Sequence, residues 1–295
     1  MMIGDKNRLN INDIKKGNKT MLSFEVFPPK KTYNIDGLFD TIAVLKEADP
    51  SFISVTYGAG GSEKDKTVEI AVRIKNEFKI EPLAHLTCVG ADKSLVSNVL
   101  DKMKANGVYN ILALRGDVPK DMKKEEAFSH FSHATDLLDL INEKGGLYAC
   151  AAAYPEGHPQ SKTKTEDMDF LKLKQDKGAT RLNTQLCFET DTILRFLDDT
   201  KKSGITVPIS IGIMPILNPS QILRMVSLSG CSIPASLAKI FALHGSSDED
   251  FRKYGLEYAT KQVSRLLDYG VDGLHLYTMN KHFASLKILT DVGLI

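Results

Sequence analysis

Two carboxylates, Glu25 and Asp117, stand where short apolar runs stop, and carboxylates that meet around one substrate can divide general acid and base work between them. Positions of the same kind carry Thr56 and Tyr57, His85, Arg115 and Gly116, Tyr154 through His158, Gln185, and Tyr277 through Lys281. Each also has a purely structural reading. Glu25 can be an acid held by a lysine, His85 a core histidine bonded to a carbonyl, Arg115 and Asp117 partners across one turn, and Tyr154 a packing residue. Gln185 resists that treatment, because an amide inside an apolar strand must find partners. No serine or cysteine at these ends has a convincing histidine partner, and no lysine lies inside an apolar run, which argues against acyl transfer and Schiff-base chemistry. His85, His158 and Asp117 lack the spacing of a metal site, so no metal is expected.

Groups scattered over the chain act together only if the fold brings them to one face. Short β-branched or aromatic runs at Met21–Phe27, Phe52–Tyr57, Pro82–Val89, Asn110–Arg115, Leu147–Tyr154, Arg181–Phe188, Pro208–Pro215 and Gly273–Thr278 read as eight strands. Several are apolar throughout, as strands covered on both faces of a parallel sheet should be. Helical patterns lie between them at Asp36–Ala48, Asp65–Phe78, Lys93–Asn106, Ser132–Lys144, Glu166–Gly178, Thr192–Ser203 and Ser220–Leu228. Two further helices, around Pro234–Leu243 and Glu249–Tyr269, precede the last strand. Alternating strand and helix at this length predicts an α/β fold: a single (β/α)8 TIM barrel, residues 21–295, with 1–20 as an N-terminal extension or helix. A doubly wound open sheet is the alternative, but no glycine-rich dinucleotide fingerprint follows the first strand. In a barrel the polar strand ends converge on one mouth, where barrel enzymes keep their active sites.

Composition narrows the class further. A net charge of +1 favours neither nucleic acid nor an anionic membrane as partner. Met1–Thr20 is polar and basic without an apolar run, and no stretch has the length of a membrane helix, so a soluble cytoplasmic protein is expected. Cys88, Cys150, Cys187 and Cys231 form no C-x-x-C pair and read as buried free thiols in a reducing compartment.

The strand ends also resemble a known family. Ser23–Pro29 (SFEVFPP), Val55–Gly58 (VTYG), Pro82–Cys88 (PLAHLTC) and Leu114–Pro119 (LRGDVP) are similar to bacterial methylenetetrahydrofolate reductases. So are Ala152–Pro159 (AAYPEGHP), Thr184-Gln185, Gly212–Pro215 (GIMP) and His275–Asn280 (HLYTMN), in order from about residue 20 to 290. The resemblance implies non-covalent FAD, and NADH or NADPH as co-substrate in a two-stage reaction at one site. Hydride passes from nicotinamide to the flavin, then from the flavin to methylenetetrahydrofolate, giving 5-methyltetrahydrofolate. It further implies a homo-oligomer, or else a folate- and flavin-binding subunit that takes electrons from a partner.

Residue by residue, the resemblance makes Glu25 the general acid that opens the folate's five-membered ring, with its pKa raised by roughly two units so that it arrives protonated. It makes Asp117, Gln185, Gln221 and Lys281 folate contacts, and assigns FAD to Thr56, Tyr57, Ala59, His85, Arg115, Gly116, Asp117, Ala134, Tyr154, His158, Asp167 and Lys174. Three departures stand out. Lys281 replaces an arginine and loses its planar fork, Phe170 and Leu173 replace polar groups near the flavin, and Leu186-Cys187-Phe188 replaces a run of phenylalanines.

Overall fold

The computed structural model describes residues 8–14, 20–29, 35–57, 61–118 and 121–295, the side chains of 61–65 aside. The eight strands are β1 (Met21–Val26), β2 (Phe52–Val55), β3 (Glu81–Thr87), β4 (Asn110–Leu114), β5 (Tyr148–Ala153), β6 (Ala179–Thr184), β7 (Ile209–Ile213) and β8 (Gly273–Tyr277). All pair in parallel in chain order, and β8 closes on β1 to complete the barrel. The predicted fold is the observed one.

Beneath the continuous burial runs a period of two. Phe24, Val26, Ile53, Val55, Leu86, Ile111, Leu182, Ile211 and Leu274 belong to the main apolar cluster shared with the surrounding helices. Their alternates Ser23, Ser54, His85, Asn110, Arg181, Asn183, Ser210 and His275 are also buried. Those alternates put an unusually polar interior inside the barrel, where branched apolar layers are the usual filling.

The helices are α1 (Ile35–Lys46), α2 (Gly61–Phe78), α3 (Lys93–Ala105), α4 (Lys124–Ala127), α5 (Ala134–Lys144), α6 (Lys164–Asp176), α7 (Thr190–Lys202), α8 (Pro219–Ser229), α9 (Ala235–His244), α10 (Asp248–Tyr269) and α11 (Phe283–Asp291). The pattern reading omits α4 and α11. Helix α11 carried a signal, since Ala284, Ile288 and Leu289 bury one stripe at helical spacing. Both extra helices before β8 are present.

The sixth strand is the clearest correction. It was expected to run Arg181–Phe188 but spans Ala179–Thr184. Leu186 and Phe188 instead enter a second apolar cluster with Met214, Ile216, Leu237 and Phe251. Gln262 on α10 donates to the carbonyls of Cys187 and Phe188 at 3.1 Å each, and Tyr258 donates to Phe188 at 2.8 Å. Apolar character there reflects burial under α9 and α10, which strand and loop can share equally.

The barrel's other end is sealed by a 3-10 turn, Ile11–Asp13, within the expected extension. Ile11 is fully buried with Phe52, Leu83, Leu112 and Cys150. Its amide donates to Asn110 Oδ1 at 3.1 Å, and Arg181 Nε donates to Asn12 Oδ1 at 2.7 Å. The open end is therefore the one that carries the strand C-termini.

Candidate active site

Strand register decides what meets Glu25. On β1 it lies opposite Ser54 of β2 on one side and Tyr277 of β8 on the other. Its Oε2 is 3.5 Å from His85 Nε2, 3.6 Å from His275 Nε2 and 3.5 Å from Ser54 Oγ. Behind them Ser23 Oγ lies 2.8 Å from His275 Nδ1 and 3.1 Å from the Leu274 carbonyl, and Ser54 Oγ lies 3.2 Å from His275 Nε2. Ser23, Ser54 and His275 are essentially inaccessible to solvent.

Burial raises the Glu25 carboxyl, but a hydrogen bond from His275, the charges of His85 and His275, and the Ser54 hydroxyl pull it below its ordinary value. A carboxyl raised by two units is therefore not what these surroundings give. The largest downward pull, however, turns on which ring nitrogen of His275 carries the proton. Burial pushes His85 down to about 4, and Tyr277 stays a phenol, raised well above its ordinary value by burial and by Glu25. Tyr277 Oη donates to the Thr184 carbonyl at 2.7 Å.

Glu25, Thr56, His85, Arg115, Gly116, Asp117, Tyr154, His158 and Gln185 line one cavity of about 300 Å3 together with Leu112, Asn183, Thr184, His275 and Tyr277. Arg115, Tyr154 and His158 also line a second cavity of about 270 Å3, which adds His133, Ala134, Asp167, Phe170 and Lys174. The two cavities thus share a wall formed by the ends of β4 and β5. Gly116 makes the β4 turn possible: at φ +87°, a Cβ there would meet Val89 Cγ1 at 2.6 Å. Arg115 does not fold back on Asp117; its guanidinium reaches Gln160 and lies 5.0 Å from the Phe128 ring.

In the second cavity Lys174 Nζ donates to the Ala152 carbonyl at 2.8 Å, and burial pulls its ammonium down to about 8. Asp167 Oδ1 accepts from Ser161 Oγ at 2.9 Å and from the His158 amide at 3.2 Å, which holds the β5–α6 loop against α6. His133 and Phe170 stack with ring centroids 5.7 Å apart, and Phe170 is 37% exposed. The departure at Phe170 therefore leaves a flat apolar face beside a buried cation.

Some expected residues fall elsewhere. Tyr57 packs against the main core, outside both cavities. Gln221 sits in the first turn of α8, where its backbone N–H donates to Asn218 Oδ1 at 2.8 Å and its side-chain Oε1 is buried without a protein partner. Lys281 is exposed in the turn after β8 and lines neither cavity. Ala59 lies outside the described residues. Gln185 is not inside a strand: it follows β6, and its Oε1 accepts from the Leu186 amide at 2.8 Å. The residues missed are Ser23, Ser54, Asn183 and His275, all on strands and facing inward, while Tyr277, one of the polar strand ends, does line the cavity. Their signal was the period of two: Ser23 and Glu25, and His275 and Tyr277, are alternate residues on adjacent paired strands. Among the described residues no group of three His, Cys, Asp or Glu side chains could hold a metal, all four cysteines are buried and free, and no helix is long and apolar enough to cross a membrane.

The displaced His85 has a consequence for stability. Unfolded, it protonates near its ordinary 6.5; folded, only near 4, so between those values the unfolded chain binds more protons. Its contribution is complete above about pH 6.5 and is lost as pH falls towards 4, an effect of about 3 kcal/mol if all of the shift is realised. Urea unfolding should show His85→Gln losing less stability than the wild type between pH 7 and 4.5. Equal losses would mean that His85 is not held neutral.

Comparison with known proteins follows the same ground. The family model for methylenetetrahydrofolate reductase matches residues 10–293. A 5,10-methylenetetrahydrofolate reductase of Escherichia coli (strain K12) is 35% identical over 272 residues, covering 92% of this chain and 90% of that protein. Methylenetetrahydrofolate reductase (NADH) 1 of Arabidopsis thaliana is 37% identical over 297 residues, 97% of this chain but 50% of the plant protein, so the chain spans about half the length of that relative. A solved protein from Clostridium thermocellum, described as binding two copies of 5-methyl-5,6,7,8-tetrahydrofolic acid, superposes with a TM-score of 0.64 at 14% identity over 93% of this chain and 95% of its own. At that identity the likeness bears on fold alone.

Proposed function

This chain belongs to the methylenetetrahydrofolate reductase family, and from that premise we propose that it reduces 5,10-methylenetetrahydrofolate to 5-methyltetrahydrofolate with electrons from NADH or NADPH, through FAD held non-covalently at the barrel mouth. One observation carries the reading: an acid set between two buried histidines lines a cavity that shares a wall with a second, which contains a buried lysine.

The donor set suits FAD. Lys174 is a buried ammonium whose burial outweighs the opposing charge of Asp167, which an anionic diphosphate would offset, and Phe170 with His133 offers a face on which a planar heterocycle can stack. Arg115, Tyr154 and His158 border both cavities, so one long ligand can pass from one to the other. When bound, FAD supplies the hydride relay between nicotinamide and the one-carbon unit. The chain's own residues then position the folate and move its proton. Glu25 delivers a proton to the departing ring nitrogen, which turns a poor hydride acceptor into an iminium cation. Asp117, exposed at the rim, offers a carboxylate to the pterin edge, and its charge favours that cation. Gln185 adds an amide donor on the same wall; its oxygen is already used by Leu186. Gln221 and Lys281 are outer folate contacts at most, since both lie off the cavity wall.

Purified protein supplied with FAD should be bleached anaerobically by NADH or NADPH, and should regain its colour on addition of 5,10-methylenetetrahydrofolate as 5-methyltetrahydrofolate forms. Bleaching that requires a further protein fraction would assign electron supply to a partner subunit. Failure to bind either FAD or folate would overturn the reading.

A further inference from the structure

We propose that Gln262 and Tyr258 on α10 are positioning residues: they fix the backbone after β6 so that Gln185 turns its amide NH2, and not its oxygen, to the first cavity as a donor to the folate. Neither residue lines that cavity or the second one. The proposal rests on the reading of the first cavity as a folate site.

The carbonyls of Cys187 and Phe188 each lie 3.1 Å from Gln262 Nε2. A carbonyl can only accept, so the two hydrogens of that NH2 serve one carbonyl each. Tyr258 Oη donates to the second lone pair of the Phe188 carbonyl at 2.8 Å. The two side chains stand one helical turn apart and so share a face of α10. Upstream, the Gln185 N–H donates to the Ala153 carbonyl of β5 at 2.7 Å. Only the 185–186 and 186–187 peptides lie between these anchors. The first of them carries the Leu186 N–H, which donates to Gln185 Oε1 at 2.8 Å. A backbone N–H can only donate, so the end of the amide that it holds is the oxygen, and the NH2 is left for the half-buried wall of the cavity.

Burial by itself would not do this. Leu186 and Phe188 already sit in the second apolar cluster, which fixes where the segment lies. Apolar contact has no direction, however, whereas a hydrogen bond weakens steeply off line and so sets how each peptide is turned. Gln262 is itself buried, and an apolar residue of similar length would suit both the helix and the burial; what the amide adds is direction. The consequence is chemical. With Oε1 engaged, Gln185 offers hydrogens only, so it suits a ring carbonyl and not a ring N–H. The pterin of a folate carries such a carbonyl, and the carboxamide of a nicotinamide carries another, which the test separates.

Exchange of the Leu186 amide hydrogen, followed by 15N NMR in the protein alone, should quicken about tenfold in Gln262→Leu and less in Tyr258→Phe, which leaves the Phe188 carbonyl one of its two donors. Titration of FAD-loaded protein with 5-methyltetrahydrofolate should show Kd rising about tenfold in Gln185→Ala, the worth of one lost hydrogen bond, and about fivefold in Gln262→Leu. In the Gln185→Ala background, Gln262→Leu should then change Kd by less than about twofold, because the group that it positions is gone. Independent effects of the two substitutions would make Gln262 a structural residue only and overturn the proposal. So would an unchanged Leu186 exchange rate in Gln262→Leu, or a Kd that rises for NADH and not for the folate. Should Gln262→Leu not fold, Tyr258→Phe, which removes one oxygen, goes through the same cycle with a smaller rise expected. Exchange that responds as stated in a protein that binds no folate would retain the fixed backbone and overturn the proposed reduction, so the two failures are told apart.

Discussion

Glu25→Gln is expected to slow formation of 5-methyltetrahydrofolate by about 10²–10⁴-fold, the usual worth of a positioned general acid, while nicotinamide oxidation with FAD stays within a few-fold of wild type. The substitution is nearly isosteric, and the Glu25 backbone is tied independently: its carbonyl accepts from Thr278 Oγ1 at 2.6 Å. A glutamine side chain fills the same space beside His275 and Ser54, so the pocket keeps its shape and loses only the acid proton. Under the proposed function the two half-reactions take place at one site, so a general loss of fold or FAD would depress both, whereas loss of the acid depresses one. Anaerobic stopped-flow measurement of each half-reaction makes the separation. If folate reduction survives at full rate, the proton comes from elsewhere and the role given to Glu25 is wrong.

The barrel was legible because parallel strands covered on both faces write themselves as apolar runs, and helix ends write themselves as Asn106-Gly107 or Ser203-Gly204. Strand six was misjudged because Leu186-Cys187-Phe188 is buried without being sheet. Glu25, His85, Arg115 and Tyr154 could be picked out because they interrupt or end such runs. His275 could not be valued so easily: Gly273-Leu274-His275-Leu276-Tyr277 looks like a core strand with one polar exception, and only the pairing with β1 reveals that Ser23 and Glu25 lie beside it. Lys281 lies off the cavity wall for the opposite reason. A cation just past a strand end has the right position in sequence, but the turn formed by Met279 and Asn280, both at positive φ, carries it out to solvent. Asn280 bonds the Phe27 backbone through both ends of its amide, at 2.9 and 2.8 Å, and so fastens that turn to the end of β1.

Gly212→Ala should be strongly damaging to the barrel. Gly212 on β7 has no positive φ to explain it; what it provides is room. A Cβ there would lie 2.5 Å from Tyr277 Oη and 2.6 Å from the Thr184 carbonyl, the two atoms joined by the 2.7 Å hydrogen bond across the cavity wall. The Gly212 amide is itself held by Thr184 Oγ1 at 2.8 Å, so β7 cannot retreat without losing that contact as well. Relief must come from displacing Tyr277 or from parting β6 and β7, which share only two registered pairs, Leu182 with Ile209 and Asn183 with Ser210. Overpacking of this kind costs about 1–3 kcal/mol, and a phenol left unpaired in a buried site about 1–3 more. Thermal unfolding should therefore drop by roughly 5–10 °C, and folate turnover should fall with it because Tyr277 lies opposite Glu25 in the β1–β8 register. Tyr277→Phe separates the two causes. If the phenol oxygen is what the new methyl strikes, Gly212→Ala should cost less in the Tyr277→Phe background than in the wild type, giving a coupling of about 1 kcal/mol or more in the double-mutant cycle. Strict additivity would place the strain at the Thr184 carbonyl and make the β6–β7 seam, not Tyr277, the element that Gly212 protects.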